Sequence, residues 1–299
     1  MDQKKANYQI IQSTANVPYN IIVHTQQKLE DNKQQDADGN FVVPKLLNHW
    51  HEAMEINYLF GGTWFYIVNG REYTITGDQF ILINPEAIHN IRYTLDPDSP
   101  ETLGFTILIH EDFLKYLVPD IQDIYFDAPA VADEEPIRRL LLRIYQSYCS
   151  DTPEQARMAI IACISMLLYE LDKGGAKKNK SVIPINSQKG VERLRGIMTY
   201  LEQNYAQPIL MKDIAAKFYF SRSYFTRFFR QYTGMTFNEY LTRLRLEKAL
   251  DLMHGTELNM TEIAMRCGFS DSRRFIISFR KYYGITPYQY KLAHKGAIR

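Results

Sequence analysis

The chain has 299 residues, of which 45% are hydrophobic, so it is long enough to form two domains with packed cores. Its formal net charge of +1 hides an asymmetry: residues 1–172 carry 12 Lys and Arg against 25 Asp and Glu, whereas residues 173–299 carry 23 against 9. The first part, at −13, would repel a polyanion, and the second part, at +14, would attract one.

Other features of the composition argue against a membrane protein or a secreted one. No apolar run approaches the ~20 residues that span a bilayer, and the polar start MDQKKANYQ is unlike a signal peptide. Cys149, Cys163 and Cys267 lie in apolar helical patterns without metal-ligand spacing. We therefore expect buried thiols in a reducing compartment and a cytoplasmic protein.

The first 109 residues predict β-structure. A strand-like run at 19–23 precedes a polar stretch at 26–40 that predicts a mobile loop. Asn69-Gly70 is a strong signal for a two-residue hairpin turn. Six more strand-like runs follow one another with turn residues between them: 55–60, 64–68, 71–75, 79–84, 88–93 and 103–109. This pattern predicts a small antiparallel barrel or sandwich.

Polar and aromatic side chains in this region could form a site. His49 and His51 alternate along one strand, so they point to the same side, and Glu55 continues that face. With His89 from another strand, the set has metal-ligand chemistry. The alternative is that these side chains line the barrel or anchor a small molecule, with Trp50, Trp64, Tyr66 and Tyr73 offering flat stacking faces. The predicted ligand-contact set is His49, His51, Glu55, Trp64, Tyr66, Arg71 and His89.

Residues 134–171 show helical periodicity. Apolar residues recur at steps of three and one from Ile137 to Tyr148 and again from Ala156 to Leu171. Pro136 and Pro153 suit first-turn positions. This helical pair is expected to pack on the barrel. The following stretch, DKGGAKKNKSVIPINSQK at 172–189, has the composition of a linker.

The rest of the chain contains an internal repeat. The segment 211–240 returns at 260–290, first at an offset of 49 and then, after a one-residue insertion, at 50. Each copy predicts a short helix, a tight turn and a second helix whose apolar residues face inward, as in a helix-turn-helix. Thr236 to Glu239 has the capping-box pattern, so a helix of roughly 18 residues, about 27 Å long, is expected to join the copies.

The second helix of each copy exposes polar and cationic positions to a DNA major groove. In copy one, Ser223, Thr226 and Arg227 are expected to face the bases, with Arg227 the main source of specificity. Arg222 and Arg230 are expected to hold phosphates.

Copy two differs, because Ile276-Ile277 stand where copy one has Thr226-Arg227. Either Ile277 contacts a thymine methyl, or this copy mainly clamps the backbone; we favour the clamp. The predicted DNA contacts of copy two are Ser272, Arg273, Arg274, Ile277, Arg280 and Lys281.

The two signatures, IAxxxxFSxxYFxRxFR and GFSDxxxFxxxFRxxxGxTPxxY, resemble the DNA-binding domain of the AraC/XylS family of bacterial transcription regulators. The resemblance covers about residues 190–292. His49-x-His51, Glu55, Gly77, Pro85 and His89 in turn resemble the cupin barrel that serves this family as a sensor. Ala87 stands where metal-binding cupins have glycine, and His89 falls one position early, so we expect no metal and no cofactor.

The resemblance implies an α+β protein with a cupin-like β-barrel and helical pair, a linker, and an all-α domain with two helix-turn-helix motifs. We expect a sensing barrel at 1–130, a helical pair for dimerisation at 131–172, a linker at 173–189, and a DNA-binding domain at 190–299 with units at 211–232 and 260–283. The implied function is DNA-binding transcription regulation controlled by a small-molecule effector, by resemblance a carbohydrate. Promoter DNA, a second subunit and, for an activator, RNA polymerase are the implied partners. The alternatives are a metal-dependent cupin enzyme and a constitutive DNA-binding protein with a structural barrel.

Overall fold

The computed structural model describes residues 17–26, 34–35, 41–42, 47–94, 100–127, 134–174, 176–179, 185–256 and 258–293. Most of the polar stretch predicted as a loop at 26–40 lies outside these residues. Within it, Gln34–Gln35 pair with Phe41–Val42. In the described part of the chain, no helix has both the length and the apolarity needed to cross a membrane.

Antiparallel sheets form the first part of the molecule, here called the β-domain (residues 17–126). One sheet has four strands and another has three. The predicted strands are confirmed, and so is the hairpin turn, in which Asn69 and Gly70 adopt φ of 49° and 80°. The strands are β1 Tyr19–Thr25, β2 Gln34–Gln35, β3 Phe41–Val42, β4 Met54–Leu59, β5 Thr63–Val68, β6 Arg71–Thr76, β7 Gln79–Ile83, β8 His89–Thr94, β9 Thr102–Ile109 and β10 Ile124–Phe126. The four-stranded sheet has the order β1-β9-β4-β7, and the three-stranded sheet has the order β6-β5-β8.

Three helices accompany the β-domain: α1 (Glu111–Leu117), α2 (Glu135–Ser150) and α3 (Pro153–Lys173). The predicted periodicity is confirmed, because the inward residues of α2 and α3 share one core with the four-stranded sheet. Thr152 caps α3 in a capping box with Gln155. Cys149 was expected to be buried but is exposed, because it falls on the side of α2 away from this core.

The stretch with linker composition contains regular structure that its composition did not predict. Strand β11 (Lys177–Asn179) pairs antiparallel with β10, with Phe126 opposite Lys177. Helix α4 (Ile185–Asn204) then begins before the expected start of the DNA-binding domain. Backbone pairing holds β11 despite its polar side chains, which explains why periodicity gave no signal.

Helices build the rest of the chain, and their cores divide it into two units. Leu241 and Leu244 of α7 pack into the first core, whereas Leu246, Ala249 and Met253 pack into the second. Thr236 caps α7 in the predicted capping box. After α4 come α5 (Met211–Lys217), α6 (Arg222–Thr233), α7 (Phe237–Gly255), α8 (Met260–Arg266), α9 (Ser272–Tyr283) and α10 (Pro287–Ala293).

Candidate nucleic-acid interface and ligand site

Helix α6 is the recognition-type helix of the first unit. Ser221 caps it by accepting a hydrogen bond from the backbone N of Tyr224 at 3.3 Å, and Gly234 ends it in the left-handed conformation at φ 64°. Phe225 and Phe229 are fully buried beneath it. The opposite face is therefore left to solvent.

The predicted DNA contacts of copy one share that exposed face. Arginine side chains there are free to reach phosphates or guanine edges. The hydroxyl of Thr226 donates to the backbone O of Arg222 at 3.0 Å, which leaves its oxygen available as an acceptor. The exposed set is Arg222, Ser223, Thr226, Arg227 and Arg230.

Helix α9 holds the corresponding face in the second unit. Asp271 caps it by accepting from the backbone N of Arg274 at 2.7 Å. Ile276 and Ile277 are 39% and 58% exposed, so the isoleucine pair lies on the surface rather than in the core. Of the predicted contacts, Arg273, Arg274, Ile277, Arg280 and Lys281 are exposed and Ser272 is half-buried.

Four predicted ligand-contact residues form a cluster in the β-domain. Ligand atoms of His49, His51, Glu55 and His89 all lie within 4.8 Å of one another. His49 and His89 face each other across an antiparallel bridge, with N···O distances of 3.1 and 3.0 Å. The folding of the sheets thus brings together residues that are up to 40 positions apart, and we call them the His₃Glu cluster.

Backbone carbonyls orient all three imidazoles. Nδ1 donates to Leu47 O at 3.0 Å in His49, to Ala53 O at 2.9 Å in His51 and to Ala87 O at 2.9 Å in His89. Each carbonyl lies two residues from its histidine, so the local chain fixes the ring. Since Nδ1 carries a proton in each case, Nε2 is the atom left to face the cluster.

Charge inside the cluster is concentrated on Glu55. Its Oε2 lies 3.1 Å from His51 Nε2 and 3.2 Å from His89 Nε2. Burial would raise the pKa of Glu55, but the facing histidines hold it well below its ordinary value. Burial and the neighbouring His89 lower the pKa of His49 to about 3, so this ring is neutral. For His89, burial favours the neutral ring, but Glu55 raises its pKa above the usual value.

Of the remaining predicted ligand contacts, two are buried and one is exposed. Trp64 and Tyr66 are buried, and within the described residues neither Trp64 Nε1 nor Tyr66 Oη has a hydrogen-bond partner. Burial, Tyr93 and Glu55 raise the pKa of Tyr66 well above its usual value, so it stays a neutral donor. Arg71 is exposed at the start of β6 and does not join the cluster, because its position in the strand faces outward.

Sequence reasoning missed a polar chain that extends from the cluster. Asn57 Nδ2 donates to Glu55 Oε1 at 2.7 Å, and Thr106 Oγ1 donates to Asn57 Oδ1 at 2.5 Å. His24 Nε2 lies 2.7 Å from Thr106 Oγ1, and its ring meets the edge of Trp64 at 5.1 Å. The signal was available in part, because Asn57 is two residues after Glu55 and so shares its face of β4.

Comparison with known proteins accounts for both regions. The family described as "AraC-like ligand binding domain" matches residues 46–171, and the family described as "Helix-turn-helix domain" matches residues 214–293. The two matches contain the His₃Glu cluster and both recognition-type helices. The chain belongs to the AraC family of transcription regulators. It therefore combines a ligand-binding domain with a DNA-binding domain.

The chain is also similar to several individual proteins. Over 263 residues the chain is 27% identical to the HTH-type transcriptional activator RhaS of Escherichia coli O81 (strain ED1a), covering 84% of this chain and 89% of that protein. The C-terminal domain of the two-component response regulator yesN from Fusobacterium nucleatum subsp. nucleatum ATCC 25586 is 36% identical, with a TM-score of 0.33 over 33% of this chain and 98% of that one. The DNA-binding domain of AdpA in complex with a target DNA is 26% identical, with a TM-score of 0.35 over 36% of this chain and 96% of that one.

In this AraC-family chain the two domains touch at the end of α6. Asn48 Nδ2 donates to Tyr232 O at 2.9 Å, and Asn90 Nδ2 lies 3.4 Å from Thr233 O and 3.1 Å from Asn48 Oδ1. Both asparagines are completely or almost completely buried. Carbonyls at a helix C-terminus have no partner within the helix, so the β-domain caps the first recognition helix.

Apolar contacts surround these hydrogen bonds. Leu47, Trp50 and Ile88 belong to the same buried core as the first helix-turn-helix unit. Arg195 of α4 contacts the backbone O of Glu86 and lies 5.9 Å from the centre of the Trp50 ring. Trp50, which the sequence offered as a stacking face for a ligand, thus packs against the DNA-binding domain. We call Asn48, Trp50, Ile88 and Asn90 the docking face.

Proposed function

We propose that this AraC-family protein is a transcription activator whose DNA binding is controlled by a small molecule in the β-domain, acting through the docking face. The observation that carries the proposal is the pair of hydrogen bonds from Asn48 and Asn90 to the last carbonyls of α6. A group that caps a recognition helix also holds its position relative to the rest of the chain. Because its target is chromosomal DNA, we propose that the protein works in the bacterial cytoplasm.

The alternation of side chains links the inside of the β-domain to the docking face in two extended segments, residues 48–51 before β4 and residues 88–90 at the start of β8. Along residues 48–51, Asn48 and Trp50 contact the DNA-binding domain, whereas His49 and His51 belong to the cluster. Along residues 88–90, Ile88 and Asn90 dock while His89 faces the cluster. A ligand that shifts the inner side chains must therefore move the docking side chains with them.

A carbohydrate is the effector class that we propose. The indole of Trp64 offers an apolar face, and Glu55, Asn57 and Tyr66 supply buried acceptors and a donor for hydroxyl groups. Such a mixture of a flat aromatic surface with a few convergent polar groups suits a sugar ring. Resemblance to the AraC family points the same way.

The proposal is tested by measuring DNA affinity with and without effector. A thermal-shift screen of the full chain against monosaccharides first finds a stabilising sugar. Fluorescence anisotropy on promoter DNA then compares the wild type with an Asn48→Ala, Asn90→Ala double variant; exposed Asn238→Ala is the control. We expect the sugar to change affinity severalfold in the wild type and in the control, and much less in the double variant. An unchanged sugar response in the double variant would refute control through the docking face.

A dimer is proposed from the outer surface of α3. Met158, Met166 and Tyr169 are exposed there and lie on one side of the helix, at spacings of eight and three residues. An apolar stripe of this kind on a helix that already packs inward suits a second copy. Met166→Lys is expected to shift the sedimentation coefficient from dimer to monomer, whereas Lys173→Ala, at the end of the same helix, is not.

The relatives are transcription regulators, and we propose that this chain likewise has no catalytic role. As an activator it would also contact RNA polymerase. In vitro transcription from a cognate promoter tests this: the chain should raise the yield of transcript, and repression instead would remove activation from the proposal.

A further inference from the structure

We propose that the His₃Glu cluster binds a divalent first-row transition metal. His49, His51 and His89 supply three imidazole nitrogens and Glu55 a carboxylate oxygen, all within 4.8 Å of one another. Zinc takes such ligands at about 2.0–2.2 Å, which places them roughly 3.4 Å apart in a tetrahedron. The side chains thus need to close by about 1.4 Å at the widest pair.

The orientation of the rings is the one that metal sites use. In all three histidines Nδ1 donates to a carbonyl two residues away, so Nε2 is the nitrogen directed inward. It offers its lone pair to a metal once the ion displaces any proton held between Nε2 and Glu55. Metal-binding histidines generally hold their second nitrogen in this way, because the bond fixes the tautomer and the direction of the ring. Three independent rings share the arrangement here.

The polar atoms of the cluster satisfy each other only in part, because Glu55 Oε2 is hydrogen-bonded to His51 Nε2 at 3.1 Å but not to His89. Nε2 of His89 is buried and, within the described residues, lacks a partner in hydrogen-bond geometry, although Glu55 Oε2 lies 3.2 Å away. One carboxylate faces two of the three rings. A central cation would be bound by all four groups at once, and it would balance the buried negative charge.

The ligand set narrows the choice of ion. Three nitrogens with one oxygen suit zinc, iron, cobalt, nickel or copper, and manganese when water completes the shell. Calcium and magnesium prefer oxygen ligands throughout, so this set disfavours both. A three-histidine, one-carboxylate set also leaves room for a further ligand in a five- or six-coordinate ion. The hydroxyls of an effector could occupy that position.

The cluster lies between two sheets, so a bound metal would link them. Glu55 lies on β4 in the four-stranded sheet, whereas His89 begins β8 in the three-stranded sheet. A bound ion would join the two sheets at the point where Asn48 and Asn90 dock on α6. The metal is therefore expected to strengthen the contact between the β-domain and α6. This expectation rests on the proposed function, whereas metal binding itself does not.

Metal content and cobalt spectroscopy test the site. The full chain is stripped with a chelator and dialysed, and then titrated with Co²⁺ alone, followed by Zn²⁺ competition; bound metal is counted by mass spectrometry. We expect one ion per chain, visible absorption from nitrogen-ligated cobalt, and a higher melting temperature with metal. His51→Asn and Glu55→Gln should each lower affinity at least 10-fold.

The matched control is His110→Asn, a histidine of the same domain outside the cluster, which should bind as the wild type does. Circular dichroism checks that each variant folds. If a cluster variant fails to fold, His49→Gln takes its place, because His49 is only half-buried. Binding of much less than one ion per chain, or equal metal affinity in the cluster and control variants, would overturn the metal proposal. The cluster would then be held together by the polar contacts of His51 and His89 with Glu55. A loaded site in a chain whose DNA binding ignores sugars would refute the proposed function while the metal proposal stands.

Discussion

The two helix-turn-helix units share their helix lengths, their glycine C-caps and their buried phenylalanines, yet their surroundings differ. In the first unit the end of α6 is capped by Asn48 and Asn90, and its core continues into the β-domain through Trp50 and Ile88. The core of the second unit is formed by α7 to α10 alone among the described residues, and α9 lies against the short strand β2. A change in the β-domain therefore reaches the core of the first unit directly, whereas it meets the second unit only at the surface contact between β2 and α9.

The exposed faces differ in the same sense. Copy one presents Thr226 and Arg227 where copy two presents Ile276 and Ile277. Arginine can read guanine with two hydrogen bonds, whereas isoleucine offers only an apolar surface. The unit that we propose is controlled by the β-domain is thus also the one with the better chemistry for reading bases, and the second unit is suited to holding phosphates. Four predictions test this division, beginning with the largest expected effect.

Removing a core phenylalanine from either unit is the change with the largest expected effect. Phe229 packs against Phe225 and Tyr240 with ring centres 5.5 and 5.3 Å away, and Phe279 sits among the corresponding rings of copy two. Each change to alanine is expected to cost about 3–5 kcal/mol of unfolding free energy, measured by urea denaturation.

Hydrogen exchange then locates the damage. Phe229→Ala should also deprotect the backbone amides around Asn48 and Asn90, because they adjoin the same core. In Phe279→Ala those amides should stay protected. Equal deprotection of the docking face by both variants would contradict the separation of the units.

Changing Arg227 and Arg280 should distinguish recognition of the DNA sequence from binding to the phosphate backbone. Arg227→Ala is expected to lose ~1–3 kcal/mol of discrimination between operator and scrambled DNA. Arg280→Ala should weaken both DNAs to a similar extent and reduce the slope of log affinity against log salt by about one. Binding titrations at several salt concentrations measure both effects. If the two variants lost affinity equally for each DNA, the assignment of roles would be wrong.

Local patterns of the sequence were enough for the fold and for the exposure of most of the predicted DNA contacts. Helix caps, the Asn69-Gly70 turn and the repeated phenylalanines are determined by neighbouring residues, so their predictions were confirmed. The docking face could not be predicted, because alternation tells that Asn48 and Trp50 share a side but not what that side meets. The same limit applies to Arg71, which was predicted to contact the ligand but faces outward, because the sequence did not tell which side of β6 faces the cluster. The sequence grouped His49, His51, Glu55 and His89 but favoured no metal. The distances among these side chains could not be predicted, because they depend on the register of distant strands.

Two glycines offer a matched test of the contact between the domains. Gly70 has φ +80°, and a Cβ there would lie 3.1 Å from the Tyr232 ring; Gly284 has φ +72°, with nothing within 4 Å of a Cβ. Both changes to alanine should cost about 1–2 kcal/mol from the left-handed backbone. Gly70→Ala should in addition push Tyr232 away and increase proteolysis between the domains, whereas Gly284→Ala should not. Equal proteolysis of both variants would show that Gly70 does not support docking.

The smallest expected effect concerns the first helix of each unit. Asn259 caps α8 by accepting from Thr261 N and Glu262 N, both at 3.0 Å, whereas Leu210, at the start of α5, gives no side-chain cap and is 54% exposed. Leu210→Asn should therefore stabilise copy one by about 0.5–1 kcal/mol, since it adds a cap and exposes little apolar surface. Leu210→Ala, which removes the same side chain without adding an acceptor, is the control in urea denaturation. If both variants had the same midpoint, the absence of a cap would not be what distinguishes α5 from α8.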